Sequence, residues 1–179
     1  MGVTNGNFET GDQGGWTTFV TSGRDLTMQV SETDKHGGQY STLMGNVFTC
    51  DDSHPYEGGK AYIQQTISVP STGSPVLTVW YNFTTYQQWD PWYGRGFSDY
   101  IRIWLDSVLV RMYANAKSSG CGSPQTTGWT PFTMNLAQAP TDYRGRDVVL
   151  RIESLHPCRF RPTIYFKPAW LYVDDISCA

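Results

Sequence analysis

VLTVWYNF, residues 76–83, alternates along its whole length: Leu77, Val79, Tyr81 and Phe83 fall on one face of an extended chain, and Thr78, Trp80 and Asn82 fall on the other. Successive side chains of a strand point to opposite faces, so this period of two predicts a half-buried β-strand. The pattern recurs. KAYIQQTISVP (60–70) puts Ala61, Ile63, Ile67 and Val69 on one side before Pro70 ends it. DYIRIWLD (99–106) sets Ile101, Ile103 and Leu105 against Arg102, Trp104 and Asp106. RDVVLRIES (146–154) sets Val148, Leu150 and Ile152 against Val149, Arg151 and Glu153. Shorter candidates are DLTMQV, YSTLMG, SVLVRMY, PFTMNL and AWLYVDDIS. No long segment carries an uninterrupted helical stripe. Roughly nine short strands divided by turn residues predict an all-β chain, a jelly-roll β-sandwich of two antiparallel sheets with little or no helix.

The bulk numbers narrow the class. A length of 179 residues suits one domain over 1–179, able to bury roughly 70% of its unfolded surface. The net charge is −3 with no basic run, which argues against nucleic acid and anionic membrane as partners. No apolar run approaches the length of a membrane-spanning helix. The cysteines, Cys50, Cys121, Cys158 and Cys178, form no CxxC pair. That disfavours a thiolate zinc site and favours one or two disulfides, hence a secreted or cell-surface location. Aromatic residues make up a high 15% of the chain, with 7 Trp, 11 Tyr and 8 Phe.

The two ends carry the most distinctive residues. NGNFETGDQGGWT (5–17) sets Phe8 and Glu9 ahead of a glycine-rich turn that ends on Trp16; it reads as the first strand, with Phe8 in the core. AWLYVDDISCA (169–179) places Asp174 and Asp175 within an aromatic strand, where aspartate is disfavoured. A buried carboxylate needs a positive or hydrogen-bonding partner, and a hard cation such as calcium supplies one.

With these ends, and with DKHGGQYSTLMG, AYIQQTISVP, GWTPFTMNL and RGRDVVLRIES following in order between them, the chain resembles the β-sandwich carbohydrate-binding modules of bacterial glycoside hydrolases. It is also similar in plan to MAM-type extracellular domains. The first resemblance implies a non-catalytic module that attaches a secreted parent protein to a polysaccharide or other glycan. It further implies a structural calcium joining the terminal strands, held by Glu9, backbone oxygens near Gly37 and Gln39, and Asp174, with Asp175 as the alternative carboxylate. The second implies an adhesion or accessory domain that binds protein or packs on a neighbouring domain.

Sugar recognition needs flat rings to stack on pyranose faces and polar groups to bond hydroxyls. TTYQQWDPWYGRGFSDY (84–100) offers Tyr86, Trp89, Trp92 and Tyr93 with Asp90 and Arg95 interleaved; such amphipathic aromatics are frequent in binding sites. The alternative is that these rings merely anchor a long loop. Trp80 and Trp104, opposite the presumed core residues of their strands, are second candidates for one concave platform with Arg102 and Arg151, unless a loop buries them. HPCRFRPTIYFKP (156–168) is a third, basic segment, which more simply covers a sheet edge. Catalytic signatures are lacking: His36, His54 and His156 have no HExxH spacing, and there is no G-x-S-x-G elbow. Adjacent acids on a strand point apart, so neither Asp51-Asp52 nor Asp174-Asp175 is preset for glycoside hydrolysis. A jelly-roll polysaccharide lyase using Tyr100, His156 and Arg102 is the distant third reading.

Overall fold

The computed structural model describes residues 2–22, 24, 26–47, 58–86, 99–114, 124–138, 141–156 and 168–179. In chain order the strands are β1 (Thr17–Val20), β2 (Thr27–Ser31), β3 (Ser41–Gly45), β4 (Gly59–Ser68), β5 (Val76–Thr85), β6 (Tyr100–Leu105), β7 (Val108–Ala114), β8 (Gln125–Thr126), β9 (Thr130–Asn135), β10 (Asp147–His156) and β11 (Ala169–Cys178). There is no helix among the described residues. One sheet runs β1-β4-β10-β6-β7; the other runs β2-β3-β11-β5, with both β8 and β9 on the far side of β5. Every pairing is antiparallel. Neighbours in space are mostly distant in sequence, as a jelly-roll β-sandwich requires.

The alternation read from the sequence is what closes the two sheets on each other. Leu77, Val79, Tyr81 and Phe83 of β5 are buried, as are Ile63 and Ile67 of β4, Ile101, Ile103 and Leu105 of β6, and Val148, Leu150 and Ile152 of β10. Each such side chain contributes about 1.5–3 kcal/mol by leaving water. The intervening residues of these strands face outward, mostly at intermediate exposure. Two faces are thus left over, one on each sheet, and these are where ligands can be met.

Residues 5–16 are not a strand. They form a series of turns that plug one side of the sandwich before β1 begins. Phe8 is fully buried and Trp16 nearly so, their ring centroids 6.0 Å apart. Asn5 and Phe8 have positive φ, a conformation that lets the chain double back and that breaks any ladder. The plug is held at both ends. Gln65, buried on β4, accepts from Thr4 N–H at 2.7 Å and donates to the Thr4 and Gly15 carbonyls at 2.9 and 2.8 Å. The Ile176 N–H of β11 donates to the Gly6 carbonyl at 2.8 Å, and Gly6 lies so close to the Ile176 carbonyl that no Cβ fits.

The two ends of the chain therefore meet, as the sequence suggested, but through backbone turns. Cys178 is a buried free thiol, so it takes no part in the expected disulfides; Cys50, Cys121 and Cys158 lie outside the described residues. Gln65→Ala strands three backbone groups in a mostly buried site and is expected to lower stability by about 2 kcal/mol. Gln64→Ala, one residue away on the outer face, should cost about 0.5 kcal/mol. Urea melts of the two variants check this, and equal losses would show that the plug does not depend on Gln65.

Candidate functional site

The expected metal residues do converge. The turn over residues 36–40, which precedes β3, is gripped by carboxylates from both chain ends. Glu9 Oε1 accepts from the Gln39 and Tyr40 N–H groups at 2.8 and 2.9 Å. Asp174 Oδ2 accepts from the His36 and Gly37 N–H groups at 3.0 and 3.1 Å, and its Oδ1 from Asp175 N–H at 2.7 Å. Gly38 has φ +59° and sits against the Glu9 carboxylate with no space for a side chain. Gly37 and Gln39 thus meet the acids through their N–H groups.

Both aspartates reach the same turn because β11 bulges between Asp174 and Ser177, with Asp175 at φ 44°. Asp174, paired with Trp80 across β5, lies on the outer face and is fully buried beneath the turn. Asp175 turns out and meets His36 Nδ1 at 2.7 Å. Among the described residues no three His, Cys, Asp or Glu side chains gather as a ready cage. A cation here would draw on two carboxylates and on carbonyls of the turn. The donor types suit that: they are hard oxygens, and Glu9 Oε2 has no hydrogen-bond partner among the described residues.

The same turn covers one of the two outer faces. The His36 ring stacks on Trp80, centroids 3.8 Å apart and 15° from parallel, and leans toward Trp129 at 5.8 Å. Asp34 accepts from Asn82 Nδ2 at 2.7 Å and from Trp129 Nε1 at 2.9 Å. Trp80 is thereby occupied as a loop anchor on one side. An open pocket of about 480 Å³ remains at its edge, lined by Val3, Asn5, Asn7, Thr78 and Asp175 among others. Tyr86, at the end of the same strand, tilts toward Trp170 at 5.8 Å. Trp89, Asp90, Trp92, Tyr93 and Arg95 lie outside the described residues.

Trp80 and Trp104 do not form a shared platform: Trp80 is on β5 and Trp104 on β6, in opposite sheets. Their equivalent positions in the alternation could not reveal this, because both faces of a sandwich present the same period.

The Trp104 face is built differently. Strand register aligns Thr17, Gln64, Arg151, Trp104 and Leu109 in one row across the sheet, and Phe19, Tyr62, Glu153, Arg102 and Met112 in the next. At ordinary strand spacing each row is about 19 Å wide. Phe19 and Tyr62 stack at 4.9 Å and 12°. Arg151 lies 4.5 Å over the Tyr62 ring and donates Nε–H to Gln64 at 3.1 Å, while Lys60 Nζ lies 5.6 Å from Phe19. Arg102 reaches Glu153 at 3.7 Å and lies 5.5 Å over Tyr100. Met112 is 51% exposed, and Leu109 and Phe19 are each 39% exposed. Flat rings held by cations over their faces are rigid, amphipathic surfaces with polar groups alongside. Of this surface, sequence reasoning named Trp104, Arg102 and Arg151; Phe19, Tyr62 and Glu153 enter only through cross-strand register.

A second constellation was not legible at all. His156 Nδ1 lies 3.0 Å from Asp99 Oδ1, its Nε2 lies 2.9 Å from Ser154 Oγ, and Thr85 Oγ1 donates to Asp99 Oδ2 at 2.7 Å. The order acid–imidazole–hydroxyl is that of a nucleophile system. Ser154, however, is fully buried on the core side of β10, so no substrate reaches its Oγ in this arrangement. The cluster ties the ends of β5, β6 and β10 together.

No protein-family model and no curated relative matches the chain. Solved structures do. TmCBM61 in complex with β-1,4-galactotriose matches with a TM-score of 0.56 at 12% identity over 100% of this chain and 98% of its own. The K3 cleaved adhesin domain of Lys-gingipain from Porphyromonas gingivalis W83 matches with a TM-score of 0.60 at 12% identity, covering 100% and 99%. The enzymatically active domain of tailspike protein 4 from bacteriophage CBA120 matches with a TM-score of 0.50 at 12% identity, covering 99% of this chain and 21% of the tailspike. These likenesses show the β-sandwich fold, which hosts unrelated functions.

Burial pushes the Asp174 carboxyl above its usual range, against the opposing pull of its N–H partners. A folded-state pKa above the unfolded one means that the folded protein binds the extra proton, so this group's contribution is present in acid and lost as pH rises through the folded pKa. In chelator, the stability of wild type relative to Asp174→Asn should therefore rise as pH falls from neutrality toward the ordinary carboxylate range. Thermal melts across that range check the sign, and a difference that falls in acid would refute it.

Proposed function

We propose that this chain is a non-catalytic carbohydrate-binding module whose glycan site is the outer face of the β1-β4-β10-β6-β7 sheet. The observation that carries the reading is the Phe19–Tyr62 stack with Arg151 over it, in rows shared with Trp104 and Arg102. Pyranose rings present C–H faces to aromatic planes and hydroxyls to the side chains between them. The polar groups here are already oriented by ring and amide contacts, which lowers the ordering cost of binding. The sandwich shared with TmCBM61, bound there to β-1,4-galactotriose, supports the architecture. The module would hold a secreted or cell-surface parent protein on its glycan with a Kd of about a micromolar, roughly −8 kcal/mol.

The proposal includes a structural calcium held by Glu9, Asp174 and carbonyls of the 36–40 turn. Its support is the fully buried, desolvated Asp174 carboxylate and the hard-oxygen donor set. The ion would supply positive charge between two acids and so pin both chain ends to one turn. Calcium at a hundredfold excess over its Kd is expected to raise the melting temperature by about 5–10 °C over chelator. Asp174→Ala should abolish that difference, and equal melts of wild type with and without calcium would remove the ion from the reading.

A second reading, adhesion to a protein, is favoured by the exposed Leu109 and Met112 on the same face and by the fold likeness to the gingipain adhesin domain. A glycan array separates the two. A hit weakened at least about tenfold, or about 1.4 kcal/mol, by Tyr62→Ala and by Trp104→Ala establishes the sugar face. A hit unaffected by both moves the site elsewhere, and a blank array favours the protein partner.

A further inference from the structure

The polar groups of the Trp104 face are unbalanced. Its central rows hold the cations Arg102 and Arg151 and one acid, Glu153, with the cation Lys60 in the adjacent row opposite Leu155. Glu153 is 4% exposed and already faces Arg102 at 3.7 Å. Gln64 Oε1, the nearest amide acceptor, takes the Arg151 Nε–H. Lys60 and Arg151 form no ion pair among the described residues; both lie over the rings of Phe19 and Tyr62. Trp104 Nε1 and Arg102 Nε, both buried, have no hydrogen-bond partner among the described residues. The other acid facing outward on β10, Asp147, sits at the opposite end of the strand and accepts from Ser68 at 2.6 Å. What stands unpaired beside the stacked rings, among the described residues, is the positive charge of Lys60 and Arg151.

A neutral glycan offers hydroxyls, which donate as readily as they accept, and so gains little from a surface of donors alone. A sugar ring bearing a carboxylate offers an acceptor-only group with charge. A guanidinium fork matches that group in plane, and charge-assisted bonds of this kind are roughly twice as strong as neutral ones. The cations also lie beside the stacked pair. A ring seated near Phe19 and Tyr62 would thus bring a carboxylate on its C5 within reach of Arg151 or Lys60. From this we infer that the face selects an acidic polysaccharide of the uronate type over its neutral counterpart. The inference rests on the glycan-binding reading above and deepens it.

The test is affinity electrophoresis and calorimetry with two soluble polymers, polygalacturonate and neutral β-1,4-galactan, at about 50 and 300 mM NaCl, with dextran sulfate as a charge-only control. Polygalacturonate is expected to bind at least tenfold tighter than galactan at low salt, and the higher salt should erode that preference. Arg151→Gln/Lys60→Gln should bring the ratio near one. These side chains form no ion pair among the described residues, and an unchanged melting temperature confirms that the variant is folded. Galactan bound as tightly as polygalacturonate overturns the acid selectivity while leaving the glycan site standing. Dextran sulfate bound as tightly as polygalacturonate overturns the uronate assignment in favour of a bare electrostatic patch. A preference that survives the double substitution overturns the placement. Binding to none of the polymers overturns the glycan reading itself.

Discussion

Asp174 is a carboxylate with no access to water, and the neighbourhood it requires organises one whole side of the molecule. It takes the N–H groups of His36, Gly37 and Asp175, because a buried acid without donors would cost more than the fold can supply. Those donors belong to a turn that Glu9 holds from the other chain end. Once fixed, the turn lays His36 on Trp80 and Asp34 between Asn82 and Trp129. The outer face of the β5 sheet is thereby partly roofed. The outer face of the β10 sheet carries no such turn among the described residues, and Phe19, Leu109 and Met112 are exposed on it.

The same economy explains why the chain ends are a plug and a bulge instead of two long paired strands. A strand through residues 5–16 would put Phe8 and Trp16 on one face but roughly 26 Å apart, whereas the turns bring their rings to 6.0 Å. Positive φ at Asn5 and Phe8 and the close approach of Gly6 to Ile176 let one short segment bury both rings. On β11 the bulge lets two adjacent aspartates act differently, one as an internal acceptor and one as a surface partner of His36. An unbroken strand would have turned Asp175 toward the core and lost its pairing with His36.

Buried polarity recurs at the end of the core, where Asp99, His156 and Ser154 form a chain of hydrogen bonds beneath the ends of β5, β6 and β10. Its resemblance to a hydrolytic triad is geometric only, since the hydroxyl faces the core. Satisfied networks of this kind specify one arrangement of strand ends where apolar packing alone would permit several.

The alternation in β4, β5, β6 and β10 determined the all-β sandwich and nearly all of its core, because the requirement to bury one face of a strand is local and is written at every second residue. The meeting of Glu9 and Asp174 near Gly37 was also legible, through the resemblance of the two termini to a family pattern. Which sheet a strand joins is not local. Trp80 and Trp104 occupy equivalent places in their strands, yet strand order sends them to opposite sides of the molecule. The Phe19–Tyr62–Arg151 surface joins residues far apart in sequence, and His156 meets Asp99 across 57 positions. Such sites depend on antiparallel register between strands that the sequence does not place side by side, so only the tertiary structure decided them.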